Sequence, residues 1–214
     1  LTGEILLNLD TEEDDEIDIG CAGGIDVTAS ANYQLTTTSP NFVKIDIKGL
    51  QGGHSGMDIH KGFGNSNVIL GRLLYTGIDN EIQLISIDGG GLRNAIPREA
   101  HAVVSVKNVE EFLQKLETLK TEISEEFTSV EKDLSINFEK TSATEQGLST
   151  EDSKKIILAL KSAHNGVYRM SPDVENLVET SNNIARVELK NGTLKILNLS
   201  RSSVESNKMA VAEQ

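Results

Sequence analysis

The sequence is poor in the residues that nucleic-acid-binding and disulfide-rich proteins need. It has no tryptophan, and only 4% of its 214 residues are aromatic, so few side chains are available for bases to stack on. Its formal net charge of −13 also disfavours contact with a phosphate backbone. The single cysteine, Cys21, cannot form an internal disulfide, which is consistent with a reducing compartment. We therefore expect a cytoplasmic protein that binds no nucleic acid.

Long hydrophobic runs are also missing. No apolar run approaches the roughly 20 residues that a membrane-spanning helix requires, and the first residues form no signal peptide. We therefore expect no contact with a membrane. The composition, 37% hydrophobic and 25% charged, is typical of a globular protein with one domain or two small ones. Because the sequence begins at Leu1 rather than at a methionine, we expect a processed or excised piece of a longer protein.

The stretch at residues 42–60, FVKIDIKGLQGGHSGMDIH, carries the most informative pattern. Apolar and charged residues alternate at its start, which predicts a strand with one buried face. Three glycines, Gly52, Gly53 and Gly56, then surround His54 and allow the backbone to turn sharply and approach a ligand. The pattern predicts a histidine presented on a loop between a strand and a helix. The alternative is a glycine-rich turn that holds an incidental polar residue.

Strand and helix periods alternate along the following hundred or so residues. Strands are predicted at residues 25–38, 42–48, 81–88, 98–106 and 134–138, and helices at residues 65–77 and 109–130. We expect residues 25–140 to hold one ferredoxin-like β-α-β-β-α-β unit, an antiparallel sheet with two helices on one face. The fold class is therefore α+β, and residues 109–130 form its longest helix.

The last fifty residues predict part of a second, similar unit. After a short helix at residues 149–163, the Asn191-Gly192 pair is a strong signal for a hairpin turn between two strands. A polar loop and a helix at residues 208–214 follow, in the same order as strand, loop and helix at residues 33–74. We expect this second unit to be truncated at the end of the sequence.

The first ten residues predict a buried strand that ends in a carboxylate. The ILLNL run delivers Asp10 to the end of the strand, a position at which α/β proteins often place ligands. A carboxylate there suits a hard or borderline cation. The acidic run at residues 12–16 is more typical of a solvated loop.

Several motifs, taken together and in order, resemble the dinuclear-zinc aminopeptidase and deacylase superfamily. The shared motifs are NLDTEE, IGCAGG, GGHSG, RNAIP, GVYRMS, VETSNN and NLSRSS. The GGHSG and NAIP motifs are common across that superfamily. The NLDTEE, IGCAGG, GVYRMS and VETSNN motifs point to its Xaa-His dipeptidase (aminoacyl-histidine dipeptidase) branch, and the likeness extends over most of the sequence.

The resemblance implies roles for four residues. Asp10 matches a ligand of the dinuclear zinc site, and His54 matches the histidine that stabilises the tetrahedral oxyanion, often from a partner subunit. Asn94 matches a substrate contact, although a turn residue before Pro97 explains it equally well. Arg201 matches the group that binds the terminal carboxylate of the substrate, for which a guanidinium fork is suited. The alternative for Arg201 is a solvated surface arginine.

The rest of the catalytic machinery of this superfamily has no counterpart in the sequence. There is no His-x-Asp motif, bridging aspartate, glutamate pair or late histidine ligand, and His60, His101 and His164 stand in other contexts. The resemblance therefore implies a lid domain. Residues 1–24 would end the zinc catalytic domain, residues 25–165 would form the first lid unit and residues 166–214 would begin the second. The parent enzyme would bind two zinc ions and a dipeptide and form a homodimer, and this chain alone would be inactive.

Two other interpretations stay open at this point. The chain could be an α+β interaction module that pairs with its own copy through a sheet edge. It could also be the lid of another zinc dipeptidase, a tripeptidase or an N-acyl amino acid deacylase. The first alternative differs from the enzyme hypothesis in whether Asp10, His54 and Arg201 converge on one site.

Overall fold

The computed structural model describes residues 21–143 and 146–214. The strands are β1 (Gly23–Asn32), β2 (Thr36–Thr37), β3 (Phe42–Lys48), β4 (Gly53–His54), β5 (Gln83–Gly90), β6 (Ala95–Ile96), β7 (Ala100–Ser105), β8 (Ser135–Thr141), β9 (Gln146–Gly147), β10 (Gly166–Met170), β11 (Val178–Lys190) and β12 (Thr193–Ser202). The helices are α1 (Ser66–Tyr75), α2 (Val109–Phe127), α3 (Thr150–Ser162) and α4 (Glu205–Ala212). Asp10 and the acidic run lie outside the described residues.

The ferredoxin-like unit is confirmed, and it begins at β3. The elements β3, α1, β5, β7, α2 and β8 follow one another in the chain, and their strands lie in the order β5-β7-β3-β8 with every neighbour antiparallel. The apolar and charged residues that alternate in β3 also alternate in burial. Val43, Ile45 and Ile47 are fully buried, while Lys44 faces the other side. Burying each such aliphatic side chain contributes about 1.5–3 kcal/mol.

The remaining long strands continue the same sheet. β11 pairs with β5, β12 pairs with β11, and β1 pairs with β12 at the far edge. The strand predicted at residues 25–38 is therefore observed as β1, but it lies beside β12 and outside the four-stranded unit. The predicted hairpin and the helix after it are observed as β11, β12 and α4. The domain boundaries at residues 24 and 165 stay a prediction.

The helices pack on the sheet through their apolar stripes, and side-chain caps mark the starts of α1, α2 and α3. Asn108 caps α2 by accepting a hydrogen bond from the Glu111 amide, and Ser149 caps α3 through the Asp152 amide. Helix α1 packs against α3 so closely that a Cβ atom on Gly71 would lie 3.4 Å from Cβ of Leu160. None of the helices in the described part of the chain is long and apolar enough to cross a membrane.

Candidate functional site

The loop that carries His54 leaves the end of β3 and is fixed against the loop that carries Asn94. The short strands β4 and β6 pair through His54 and Ala95, and the Ser55 amide donates to the Asn94 carbonyl oxygen at 2.8 Å. Asn94 itself is exposed in a turn. Two of the sequence-predicted site residues are therefore neighbours in the fold, although forty positions separate them.

The hydrogen bonds of the His54 ring define which nitrogen carries its proton. Nδ1 accepts from the backbone amide of Met57 at 3.1 Å, and the Gly56 amide lies 3.4 Å from the same atom. A ring nitrogen that accepts hydrogen bonds uses its lone pair and carries no proton. In the neutral ring the proton is therefore on Nε2. The half-buried ring therefore presents an N–H donor on the side away from its own loop.

Asp58 stabilises the same loop from within. Its Oδ2 accepts from the His54 amide at 2.7 Å, and its Oδ1 lies 2.6 Å from Nζ of Lys61. The hydrogen bond from Lys61, and then that from the His54 backbone, lower the pKa of Asp58 below its ordinary value of 3.8. The carboxylate thus stays charged and joins the histidine to the far side of the loop.

Arg201 lies beside His54, with only a glycine between the two side chains. A Cβ atom built on Gly56 would lie 3.3 Å from Cε1 of His54 and 3.3 Å from Cδ of Arg201. Arg201 is on β12, opposite Ser181 of β11 and Gly24 of β1, so no bulky neighbour stands on the β1 side. Its Nε is buried without a hydrogen-bond partner among the residues that the structure describes. The half-buried Arg201 thus has a donor group that no described residue uses.

A network of buried amide side chains holds these parts together, and the sequence analysis did not identify it. Asn183 is fully buried, and its Nδ2 donates to the carbonyl oxygens of Arg93 and Ala95 at 3.0 and 2.8 Å. Its Oδ1 accepts from Nδ2 of Asn65 at 3.2 Å, and Asn65 also caps α1. The network fixes the turn around Asn94 relative to β11 and the start of α1. The VETSNN motif contains Asn183 and was the one available signal.

Glu179, in the same motif, has contacts that are structural. It is 5% exposed, accepts from Nδ2 of Asn207 at 2.6 Å, and its Oε2 lies 3.6 Å from Nε of Arg169. These contacts join β11 to α4 and β10, and none involves His54 or Arg201.

The other histidines form no hydrogen bond or ion pair with His54 or Arg201 among the described residues. His101 is half-buried, and its Nδ1 lies 2.7 Å from Oδ1 of Asp46 on the neighbouring strand. Burial raises the pKa of Asp46, but hydrogen bonds from Lys44 and His101 outweigh this effect and lower it overall. His60 is exposed on the His54 loop. None of these contacts involves Arg201.

A cavity of about 320 Å³ lies on the helix-covered face of β12. His164, Asn198, Ile184 and residues of α3 and α4 line it. Asn198 and Arg201 point to opposite faces of the strand, so this cavity is separate from the His54 site. No sequence-predicted site residue lines it.

The described residues include no group of three or more histidine, cysteine, aspartate or glutamate side chains that could hold a metal ion. A tight zinc site normally needs four ligands. A metal that acts at His54 would therefore need ligands from elsewhere, and Asp10, outside the described residues, is the one candidate that the sequence analysis identified.

Comparisons with known proteins agree with the fold and the motifs. Residues 43–134 match the family described as peptidase dimerisation domain. The chain is 36% identical over 213 residues to cytosol non-specific dipeptidase of Escherichia coli (strain K12), covering 97% of this chain and 44% of that protein. Its fold matches the crystal structure of aminoacylhistidine dipeptidase from Vibrio alginolyticus with a TM-score of 0.88 and 35% identity, over 100% of this chain and 46% of that one.

The chain thus spans less than half the length of both relatives. The part it covers holds the GGHSG loop, the NAIP turn and the RSS strand, and it holds the whole sheet that positions them. With its motifs, its fold and these relatives in agreement, the chain is a lid-domain fragment homologous to part of these dipeptidases, and residues 43–134 are the segment that matches the peptidase dimerisation domain.

Proposed function

We propose that this chain is the lid of a zinc-dependent metallodipeptidase that hydrolyses Xaa-His dipeptides. The observation that carries the proposal is the convergence of His54 and Arg201 on Gly56, within one chain. A hydrogen-bond donor beside a half-buried guanidinium, whose Nε has no partner among the described residues, suits a short peptide, which has a scissile carbonyl close to a terminal carboxylate. The GVYRMS and VETSNN motifs, and the likeness to an aminoacylhistidine dipeptidase, support the choice of Xaa-His substrates.

In this mechanism, each residue contributes one interaction. His54 Nε2–H donates to the oxyanion that forms when water attacks the scissile carbonyl, and this donor is oriented in advance by the two amides that bind Nδ1. Arg201 binds the carboxylate of the C-terminal residue, and Asn94 contacts the substrate from the adjoining turn. Asp58 keeps the His54 backbone in place during the reaction.

Two zinc ions, when bound in the parent enzyme, would generate hydroxide at neutral pH and polarise the carbonyl. We assign one ligand, Asp10, to this chain, and the general base and the other ligands to the remainder of the parent enzyme. A cytosolic location follows the name of the Escherichia coli relative.

The test is the His54→Ala variant of the full-length enzyme. Losing one oxyanion donor costs roughly a hundredfold to a thousandfold in kcat, and we expect that loss with unchanged metal content. His60→Ala is the matched control, because His60 is an exposed histidine of the same loop. A His54→Ala enzyme with normal kcat would exclude the proposed role.

The isolated 214-residue chain provides a second test. One carboxylate cannot complete a zinc site, and the chain offers no candidate general base, so we expect no release of histidine from a Xaa-His dipeptide in the presence of zinc. Metal-dependent turnover above that of the His54→Ala chain would show that the catalytic machinery is complete here.

The second candidate function is self-pairing. The family that residues 43–134 match is a dimerisation domain, and β1 and β8 each have only one neighbour in the long sheet of the described residues. An exposed strand edge can pair with another chain, so a homodimer through one of these edges is the expected assembly. Sedimentation of the chain at increasing concentration would show a monomer–dimer equilibrium, and a monomer throughout would contradict it.

A further inference from the structure

The side chain of Glu131, just after the end of α2, connects to both ends of the His54 loop. Its Oε2 accepts from the Gln51 amide at 2.7 Å, and its Oε1 accepts from the Gly64 amide, also at 2.7 Å. Gln51 and Gly64 are the residues at which the loop leaves β3 and approaches α1. One side chain thus closes the loop that carries His54.

The carboxylate is buried and depends on these two amides. Glu131 is 5% exposed, and no lysine or arginine in the described ranges lies within 4.0 Å of its oxygens. A buried charge without hydrogen bonds is costly, whereas charge-assisted bonds from backbone amides compensate it. Since both partners are donors, only a side chain with two acceptor oxygens satisfies both.

The turn around Glu131 is bonded to the end of α2, so the loop is held against a helix end. The Glu131 amide donates to the Phe127 carbonyl oxygen at 2.8 Å, which continues the bonding of α2. Gly49, with a φ of +79°, passes so close to this turn that a Cβ atom there would lie 1.9 Å from the Asp133 carbonyl oxygen. The backbone before the loop is therefore closely packed against this turn.

We propose that Glu131 is a positioning residue for His54. Its carboxylate accepts hydrogen bonds from the Gln51 and Gly64 amides, and this pair of bonds, called the clamp below, fixes the position of the His54 loop. The catalytic part of this inference rests on the proposed function of His54, whereas the clamp itself does not. Without Glu131, the loop keeps its internal bonds around Asp58 but loses the connection of its two ends to α2.

The clamp is tested by hydrogen exchange in the 214-residue chain. Glu131→Gln presents an N–H group to one of the two amides, so we expect the Gln51 and Gly64 amides to exchange about tenfold faster or more, while β3 and α2 are unchanged. Glu126→Gln is the matched control. Like Glu131→Gln, it removes a carboxylate that accepts two hydrogen bonds. Glu126 lies in α2, and its hydrogen bonds come from Arg72 and do not involve the loop. Unchanged exchange at Gln51 and Gly64 in Glu131→Gln overturns the clamp.

If Glu131→Gln does not fold, Glu131→Asp is measured in its place. It keeps the charge but is one methylene shorter, so we expect faster exchange at the same two amides, and unchanged exchange overturns the clamp.

Coupling to His54 is tested by a double-mutant cycle in the full-length enzyme. We expect Glu131→Gln to lower kcat about tenfold or more with little change in KM, and to cause no further loss in the His54→Ala background. An equal loss in both backgrounds would show that Glu131 acts on stability alone. Normal kcat in His54→Ala refutes the proposed function of His54, and the exchange experiment still decides the clamp.

Discussion

His54 and Arg201 lie on either side of Gly56, each within 3.3 Å of the position that a Cβ atom of this glycine would occupy. One side chain comes from a loop of the ferredoxin-like unit and the other from β12, so their proximity depends on strands that are distant in sequence. A side chain at position 56 would crowd both groups.

Gly56→Ala should therefore impair catalysis more than folding. The added methyl group would push both neighbours by a few tenths of an ångström, and small displacements of reacting groups are costly, so we expect roughly a tenfold loss of kcat/KM in the full-length enzyme. Gly91→Ala is the control, because a Cβ atom there meets nothing within 4 Å. Equal kcat/KM for the two variants would contradict the crowding.

Arg201→Lys should discriminate between substrates with and without a free carboxylate. A lysine keeps the charge but loses the fork, so we expect kcat/KM to fall roughly tenfold to a hundredfold for free dipeptides and much less for their C-terminal amides. Arg93→Lys, which changes an arginine that contacts Thr28 and the Asn198 carbonyl oxygen, should affect both substrates alike. Equal losses for both substrates in Arg201→Lys would assign this residue another role.

Asp58 should make the stability of the chain depend on acid pH. Its pKa is lowered in the folded state, so its contribution is complete above the ordinary value of 3.8 and is lost as pH falls through the folded-state value. We expect Asp58→Asn to flatten the decline of the unfolding free energy below about pH 4. Lys61→Ala, which removes the main cause of the shift, should flatten it in part. Parallel profiles for the wild type and Asp58→Asn would contradict this linkage.

Asn183→Ala should be one of the more destabilising substitutions of a polar residue. It leaves the carbonyl oxygens of Arg93 and Ala95 without this donor in a buried region, and each unsatisfied group costs about 1–3 kcal/mol. We expect the unfolding free energy, measured in urea, to fall by about 2–4 kcal/mol. Asn137→Ala on the exposed face of β8 should change it by less than about 0.5 kcal/mol. A loss of that small size in Asn183→Ala would mean that the network is not stabilising.

The sequence predicted the elements of the fold better than their arrangement. Strand β3 and helix α2 were recognised because their burial follows the periods of a strand and a helix. The position of β1 in the sheet was not predicted, because the alternation of a strand carries no information about which strand it pairs with. Its pairing with β12 joins residues such as Gly23 and Ser202, and such long-range pairs are decided by the packing of the whole sheet.

For the site, the motifs pointed to His54, Asn94 and Arg201, and the fold places His54 near each of the other two. Their roles stay predictions, as does that of Asp10, which lies outside the described residues. The supporting residues were missed because their types are ordinary on surfaces. Glu131 stands in the charged stretch VEKD, which predicts a solvated turn. Whether such a carboxylate is buried depends on a loop eighty positions away, which no local pattern encodes.

The pairing of β5 with β11 has a mechanical consequence. Four cross-strand residue pairs, from Gly90 with Arg186 to Ile87 with Leu189, join the ferredoxin-like unit to the hairpin that carries Arg201. Antiparallel hydrogen bonds resist shear along the strands, so this pairing opposes sliding of the two parts against each other. A movement of the long sheet as a unit would therefore carry β12, which holds Arg201, together with β3, from which the His54 loop leaves.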